Sequence, residues 1–290
     1  MKVLSVDIGG TKTLLTLVDG PNVMDRIVAP TKRDAQPQDW VNQIAILAKR
    51  WAGQFDRAGI TVTGLIKDNC WQTLNSETLS IPGRFALHRA AETALGVPVA
   101  LCNDAQAAAW GEYLHGAGQG LNIVFLTIST GVGGGVVSNG KILHGRSGLA
   151  GHFGQTYPLP DGDENRFEDS ASGRWMASEA RRQGYEFDAR SVFEAARQGH
   201  QWAEEIVDVS AHRVGRLCCN LQLIFDPDIT VIGGGVGLAP GYIERLKKSV
   251  DHLQPLMRPT FRKAALGNDA GVIGVADLSR QLKFNKEEVK

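Results

Sequence analysis

The stretch VDIGGTK, residues 6–12, decides how the rest of the chain is read. Val3, Leu4, Val6 and Ile8 make an apolar run that reads as a strand, with one acid, Asp7, close to its end. Gly9-Gly10 breaks the run, and Thr11, Lys12 and a second apolar run follow. Similar breaks recur in VFLTISTGVGGGVV (124–137) and in ITVIGGGVG (229–237). Glycine lets the backbone approach a ligand closely, and successive turn amides form a concavity suited to phosphate oxygens. Three glycine turns, two of them at equivalent points of a repeated unit, suit a triphosphate. An ordinary hairpin turn accounts for GGTK equally well, because glycine is a default turn residue. It accounts less well for residues 131–135, where four of five positions are glycine.

Working outward, strands are expected at 3–8, 13–18 and 23–29, followed by a helix opened by Pro37 with Trp40, Ile44, Leu47, Ala48 and Trp51 on one face. A strand at 60–65, a helix at 85–96, a strand at 97–103 and a helix from Asp104 come next. After Gly116, Gly118 and Gly120 the pattern restarts: strand 122–129, a glycine turn, strand 135–138, an Asn139-Gly140 hairpin signal and strand 141–143. Helices around 171–183, 191–198 and 202–225, a strand at 229–234 and helices near 239–250 and 270–283 complete the chain. A meander followed by alternating helix and strand, twice over, predicts two related α/β domains around a central cleft. The expected boundaries are 1–115 plus 272–290 for a smaller domain and 116–271 for a larger one.

Composition sets outer limits. The 290 residues carry 31 basic and 31 acidic side chains, so no broad field attracts a polyanion, and nucleic acid is not an expected partner. No apolar run reaches the ~20 residues that cross a bilayer, and the N-terminus has no secretory core, so no membrane partner and a cytoplasmic location are expected. Cys70, Cys102, Cys218 and Cys219 lack CxxC spacing and read as reduced thiols.

Two familiar phosphate motifs fail. A dinucleotide fingerprint needs glycine at 136 after Gly131 and Gly133, where Val136 stands. A P-loop nearly fits Gly135 to Lys141, but Ile142 replaces the required hydroxyl residue and the segment alternates like a hairpin. Asp7 fits two roles, a turn cap or a carboxylate holding the waters of Mg²⁺ beside a phosphate turn. Asn103-Asp104, where a strand meets a helix, likewise reads as a cap or as a sugar-binding amide beside a general base. Lys12 could neutralise phosphate or simply be solvated.

In order, DIGGTK, NDAQAAAW, STGVGGGVV, GLAGHFGQ and VIGGGVGL resemble the ROK family of sugar kinases over nearly the whole chain. The stretches LNSETLSIPGRFALHRAAE (74–92) and NDAQAAAWGEY (103–113) are similar to the bacterial N-acetylmannosamine kinases of that family. The resemblance implies the actin-like ATPase/hexokinase (ribonuclease H-like) fold, ATP and Mg²⁺ as cofactors, and a homodimer. It implies phosphorylation of N-acetyl-D-mannosamine at its 6-hydroxyl in sialic acid catabolism. A glucokinase or N-acetylglucosamine kinase is the alternative within the family. A non-catalytic sugar-responsive regulator is a further one, although only six residues precede Asp7 and leave no room for a DNA-binding motif there.

Carried over by resemblance, Asp104 is the catalytic base, and Asn75, Asn103, His152 and Glu168 join it on the sugar. Asp7, Gly9, Gly10, Thr11, Lys12, Thr130, Gly131, Gly133, Gly134, Gly234 and Gly235 serve ATP and Mg²⁺. Many family members also carry a zinc site built from a Gly-His pair and a CxCGxxGCxE run. Here Gln155 stands at the matching position and residues 156–172 contain no cysteine, so no zinc site is expected. Hydrogen bonds, or Phe153 and Phe167, would then have to order the 156–168 loop.

Overall fold

The computed structural model describes residues 2–74, 79, 81, 83–157 and 166–282. Asn75 therefore lies outside the described residues, as does much of the 156–168 loop. By internal packing the chain forms two compact units. The first comprises Met1–Gly111, His144–Leu149 and Asp269–Lys290; the second comprises Glu112–Leu143 and Ala150–Asn268.

The first unit is built on β1 (Lys2–Ile8), β2 (Lys12–Asp19), β3 (Asn22–Pro30), β4 (Ala58–Val62) and a later strand, Val99–Asn103. Between β4 and that strand lies a hairpin of β5 (Leu65–Lys67) and β6 (Cys70–Gln72), which makes the late strand β7. The sheet order is β3-β2-β1-β4-β7. β1 to β3 run antiparallel as a meander, while β4 and β7 lie parallel to β1. The helices are α1 (Pro37–Ala48), α2 (Leu87–Leu95), α3 (Asp104–His115), whose last residues belong to the second unit, and the late helix Ala270–Arg280.

The second unit repeats the plan. It uses β8 (Ile123–Ile128), β9 (Val132–Ser138), β10 (Lys141–Ile142), β11 (Ile229–Gly233) and β12 (Phe261–Lys263), in the order β10-β9-β8-β11-β12. Its helices are α4 (Glu168–Ala171), α5 (Gly173–Arg182), α6 (Ala189–Arg197), α7 (Gln201–Phe225), α8 (Gly234–Gly237) and α9 (Tyr242–Val250), which makes the late helix α10. β8 and β9 are antiparallel, and β11 and β12 run parallel to β8. The duplication expected from the strand pattern is therefore present strand for strand.

Each unit has its own core. In the first, α1 and α2 bury Trp40, Val41, Ile44, Leu87 and Ala91 with the sheet residues Leu4, Val6, Ile60 and Val62. Trp40 and Trp71 meet with ring centroids 5.7 Å apart, a tilted aromatic pair of the kind that adds to area burial. On α1, Leu47 is only partly buried and Ile46 is exposed. In the second unit α7 presents Ile206, Val207, Val214 and Leu221 to a core shared with β8, α5, α6 and α9.

Four departures from the expected layout have physical causes. The β5–β6 hairpin turns at Asp68-Asn69, both left-handed (φ 49° and 59°), a two-residue turn that most residues disfavour but Asn and Asp tolerate. The expected 171–183 helix is two helices. Ser172 is extended between them and caps α5 by accepting from the Trp175 amide at 3.3 Å. The glycine run is the third: β9 begins at Val132, so Gly133 and Gly134 are strand residues paired with Thr127 and Leu126, and the turn itself is only residues 129–131.

The fourth concerns the unit boundary. Relative to the expected 115/116 and 271/272 breaks, the units divide between Gly111 and Glu112 and between Asn268 and Asp269. The buried Glu112 carboxylate explains the first division, since it accepts from the amides of Ala117, Ala265 and Leu266 at 2.8, 3.0 and 2.8 Å. His144–Leu149 packs with the first unit because Gln106 donates to Gly148 O (3.2 Å) and meets His144 Nδ1 (3.2 Å). Among the described residues, no helix is long and apolar enough to cross a membrane.

Candidate active site

In the first unit the functional side chains gather at the carboxyl ends of the three parallel strands β1, β4 and β7, where open α/β sheets bind ligands. Asp7 is the penultimate residue of β1 and lies in register with Thr61 on β4, whose hydroxyl donates to Asp7 Oδ1 at 3.1 Å. Asp104 opens α3 directly after β7 and accepts from the Ala105 amide at 2.8 Å. Both carboxylates are half-buried. Burial pushes Asp104 up to about 6, against the hydrogen bonds from the Ala105 amide and the Asn103 side chain. Burial also pushes Asp7 up to about 6, helped by the charge of Asp104 and opposed by Thr61 and Lys12. Two carboxylates raised by burial, one of them raised further by the other's charge, suit a base poised near neutrality beside a place for a cation.

Asn103 is occupied at both ends. Its Oδ1 accepts from the amides of Ala105 (3.0 Å) and Gln106 (3.1 Å), and its Nδ2 donates to Gly64 O (2.9 Å). The cap reading of the sequence is thus realised, and the side chain holds Asp104 in place by fixing the start of α3. Gly64 has φ 101°, so the strand that leaves β4 needs glycine where Asn103 ties it down.

The GGTK turn closes by Gly9 N donating to Lys12 O at 3.1 Å. Arg33 Nε donates to Gly10 O (2.9 Å) and the Thr31 amide to Thr11 O (3.0 Å). The carbonyls are therefore tied back, and the amides of Gly10 and Thr11 meet no acceptor among the described residues. Thr11 and Lys12 are exposed.

The second unit builds a matching turn at Ser129–Val132. Ser129 N donates to Gly131 O (2.9 Å), while Ser129 O and Thr130 O accept from the amides of Gly173 (2.7 Å) and Arg174 (3.2 Å) at the start of α5. Val132 N donates to Glu168 Oε2 at 3.3 Å. The amides of Thr130 and Gly131 again meet no acceptor among the described residues. Gly131 is required here, because a Cβ on it would stand 2.6 Å from Glu168 Oε2. Gly134 is required for another reason, since its Cβ would fall 2.5 Å from the Phe153 ring. The third turn, β11 into α8, needs Gly234, which has φ 83° and would carry a Cβ 2.3 Å from Ile128 O.

Within the second unit, the Ser129–Val132 turn and the β11–α8 turn border a cavity of about 850 Å³ lined by Ser129, Thr130, Arg174, Phe193, Gly235 and Ala239, among others. Its size and largely apolar wall with a few convergent polar groups suit a nucleoside. Phe193, Arg174 and Ala239 carry no signal in the sequence, because α5, α6 and the segment after α8 meet only in the fold.

Glu168, a sugar-side residue by resemblance, is the first residue of α4 and only 5% exposed. Its Oε1 accepts from Gln155 Nε2 at 2.9 Å, and Arg166 and Arg174 flank it at 3.7 and 3.9 Å. Phe167 N donates to Thr156 O (2.7 Å), which closes the neck of the 156–168 loop, and Phe153 and Phe167 are buried in the core beside it. His152 is half-buried just before a short 3-10 helix, Phe153–Gln155. Among the described residues no group of three or more His, Cys, Asp or Glu is placed to hold a metal ion.

The model of the ROK family matches residues 3–282. The chain belongs to the ROK family. It is 46% identical over 277 residues to the bifunctional enzyme NanE/NanK of Brucella melitensis, covering 96% of this chain but 54% of that protein, so it spans about half that relative's length. It is 37% identical to the N-acetylmannosamine kinase of Shigella boydii, covering 98% of this chain and 100% of that one. Among solved structures, a ROK family glucokinase from Streptomyces griseus in complex with glucose and AMPPNP superposes with a TM-score of 0.83 at 29% identity, covering 97% and 100% of the two chains. The fold is the hexokinase-like fold of the ROK family, in which the actin-like ATPases share.

Proposed function

We propose that this ROK protein transfers the γ-phosphoryl group of ATP to the 6-hydroxyl of N-acetyl-D-mannosamine, giving N-acetyl-D-mannosamine 6-phosphate in sialic acid catabolism. The observation that carries the chemistry is Asp104, a half-buried carboxylate at the head of α3 whose pKa is pushed up to about 6. The sugar rests on the relatives named N-acetylmannosamine kinase. ATP rests on the AMPPNP held by the Streptomyces griseus glucokinase.

Asp104 accepts the proton of the sugar hydroxyl as its oxygen attacks the γ-phosphorus. The bond from that phosphorus to the bridging oxygen breaks, and ADP leaves with the electron pair. A base with a pKa of about 6 is mostly ionised at neutral pH yet still basic enough to take a proton in flight. Asn103 positions this base, and His152, Glu168 and Asn75 are the remaining sugar-side candidates. The outward amides of Gly10 and Thr11, and those of Thr130 and Gly131, take phosphate oxygens, Lys12 adds charge, and Gly234 and Gly235 leave room for the nucleoside.

The pair Asp7 and Asp104 fits a divalent cation, because burial holds each acid above its ordinary range and the charge of Asp104 raises Asp7 further. Asp7 would hold Mg²⁺ through its waters, and the ion would neutralise charge on the phosphates. ADP release measured against N-acetylmannosamine, N-acetylglucosamine and glucose tests the reading. The expected result is a kcat/KM for N-acetylmannosamine at least tenfold above the other two. A preference for glucose would replace the proposed substrate with that of the glucokinases. A hydrogen bond to one epimer only can supply such a ratio.

A further inference from the structure

Glu168 creates an electrostatic problem for any phosphate seated on the Ser129–Val132 turn. Its carboxylate lies directly behind the turn, 3.3 Å from the Val132 amide and 2.6 Å from the point a Gly131 Cβ would occupy. Arg166 stands 3.7 Å from Oε1, but Oε2 is the oxygen turned to the Val132 amide, and on that side two neutral amides alone would face a polyphosphate carrying three to four charges with a carboxylate at their back. Arg174 stands where that repulsion must be cancelled. Its guanidinium is 3.9 Å from Glu168 Oε2 and 3.7 Å from the same Gly131 point, and it lines the nucleoside-sized cavity with Ser129, Thr130 and Gly235. Its amide is bonded to Thr130 O, so the side chain is registered to the turn. About a third of the side chain is exposed (35%), whereas Arg190, at the same cavity, is 87% exposed and paired with Glu194.

We propose that Arg174 is a phosphate-contacting residue, one that screens Glu168 and binds the polyphosphate chain of the nucleotide with the Thr130 and Gly131 amides. The inference rests on the kinase reading above and adds the group that makes the turn receptive to an anion. A guanidinium is suited to the task because its fork of donors can serve a carboxylate and a phosphate at once.

Calorimetric titration of Mg·ATP and of adenosine into the full chain tests it, with Arg174→Ala, Arg174→Lys and the double variant Arg174→Ala/Glu168→Gln. Arg174→Ala is expected to weaken ATP about 10–100-fold, the scale of a lost charged hydrogen bond. Adenosine should lose no more than a few-fold, since it carries no phosphate for Arg174 to hold and meets that side chain only at the cavity wall. Arg174→Lys should recover part of the loss, and so should Glu168→Gln in the Ala background, because it removes the charge that needed screening. ATP affinity unchanged by Arg174→Ala, in a wild type that binds ATP, would overturn the assignment and leave the kinase reading intact. Equal losses of ATP and adenosine would show a structural role instead and also overturn it. A wild-type chain that binds no ATP would remove both.

Discussion

The two units share one strand order and end it in residues of opposite character. Aligning their last antiparallel pairs, Ile8 with Thr13 and Ile128 with Val132, sets Asp7 against Thr127 and its parallel partner Thr61 against Gly233. The burial pattern around these positions is the same, four buried residues, a half-buried one, then a buried one. Where the first unit ends its parallel strands in carboxylates, Asp7 and Asp104, the second ends them in hydroxyls and glycines. Carboxylates suit proton transfer and cations and repel phosphate; bare amides and a nearby guanidinium do the reverse. A duplicated scaffold thus leaves its core alone and specialises by a handful of residues at strand ends, where loops carry function on a rigid frame.

The contrast can be broken first at its acid. Asp104→Asn should lower kcat by about 10²–10⁴-fold while sugar binding, measured by calorimetry, stays within a few-fold. Near-normal turnover would take away its role as base. At the glycine end, Gly234→Ala should cost about 2–4 kcal/mol in stability, because an alanine there must hold a positive φ and meet the Ile128 carbonyl. Denaturant titration reads this directly, and a loss under 1 kcal/mol would mean that the third turn tolerates a side chain.

Smaller effects sharpen the comparison through pH. The kcat/KM profile should fall on the acid side with an apparent pKa of about 6 that belongs to the Asp7–Asp104 pair rather than to either acid. A flat profile down to pH 5 would exclude these groups. Stability should move in the opposite sense. Both acids hold protons more tightly folded than unfolded, where 3.8 applies. Their favourable contribution is therefore complete below about pH 4 and is lost as pH rises through about 6. Asp104→Asn removes that loss, so it should raise the melting temperature by a few degrees at pH 8 and leave it unchanged near pH 4.

The duplicated frame was legible in the sequence because its strands are apolar runs punctuated by glycine, a pattern that survives without tertiary context. The β5–β6 hairpin was not, since three-residue strands leave no period to count and Asp68-Asn69 is a weaker turn signal than Asn139-Gly140. Asp7, Asp104 and the glycines could be picked out because strand ends are visible in one dimension. Glu168 shows the limit: it reads as a loop acid, and its burial depends on Gly131, Gln155, Arg166 and Arg174 arriving from four separate segments. The glycine run misled in detail, because Gly134 exists to admit the Phe153 ring, a packing demand that sequence cannot tell from close ligand approach.

The late helix α10 carries a consequence for biosynthesis. It packs against β1, β4 and β7, and it crosses α3 so closely that a Cβ on Gly274 would lie 1.9 Å from Ala107 O and one on Gly111 would lie 2.4 Å from Ala270 O. α3 is the helix that Asp104 begins. On the ribosome, every residue of the second unit has been made before α10 emerges, so that unit can fold as a block while the first still lacks a wall. The carboxylate proposed as the base is encoded about a third of the way along the message, yet it acquires its seat only when translation has nearly finished.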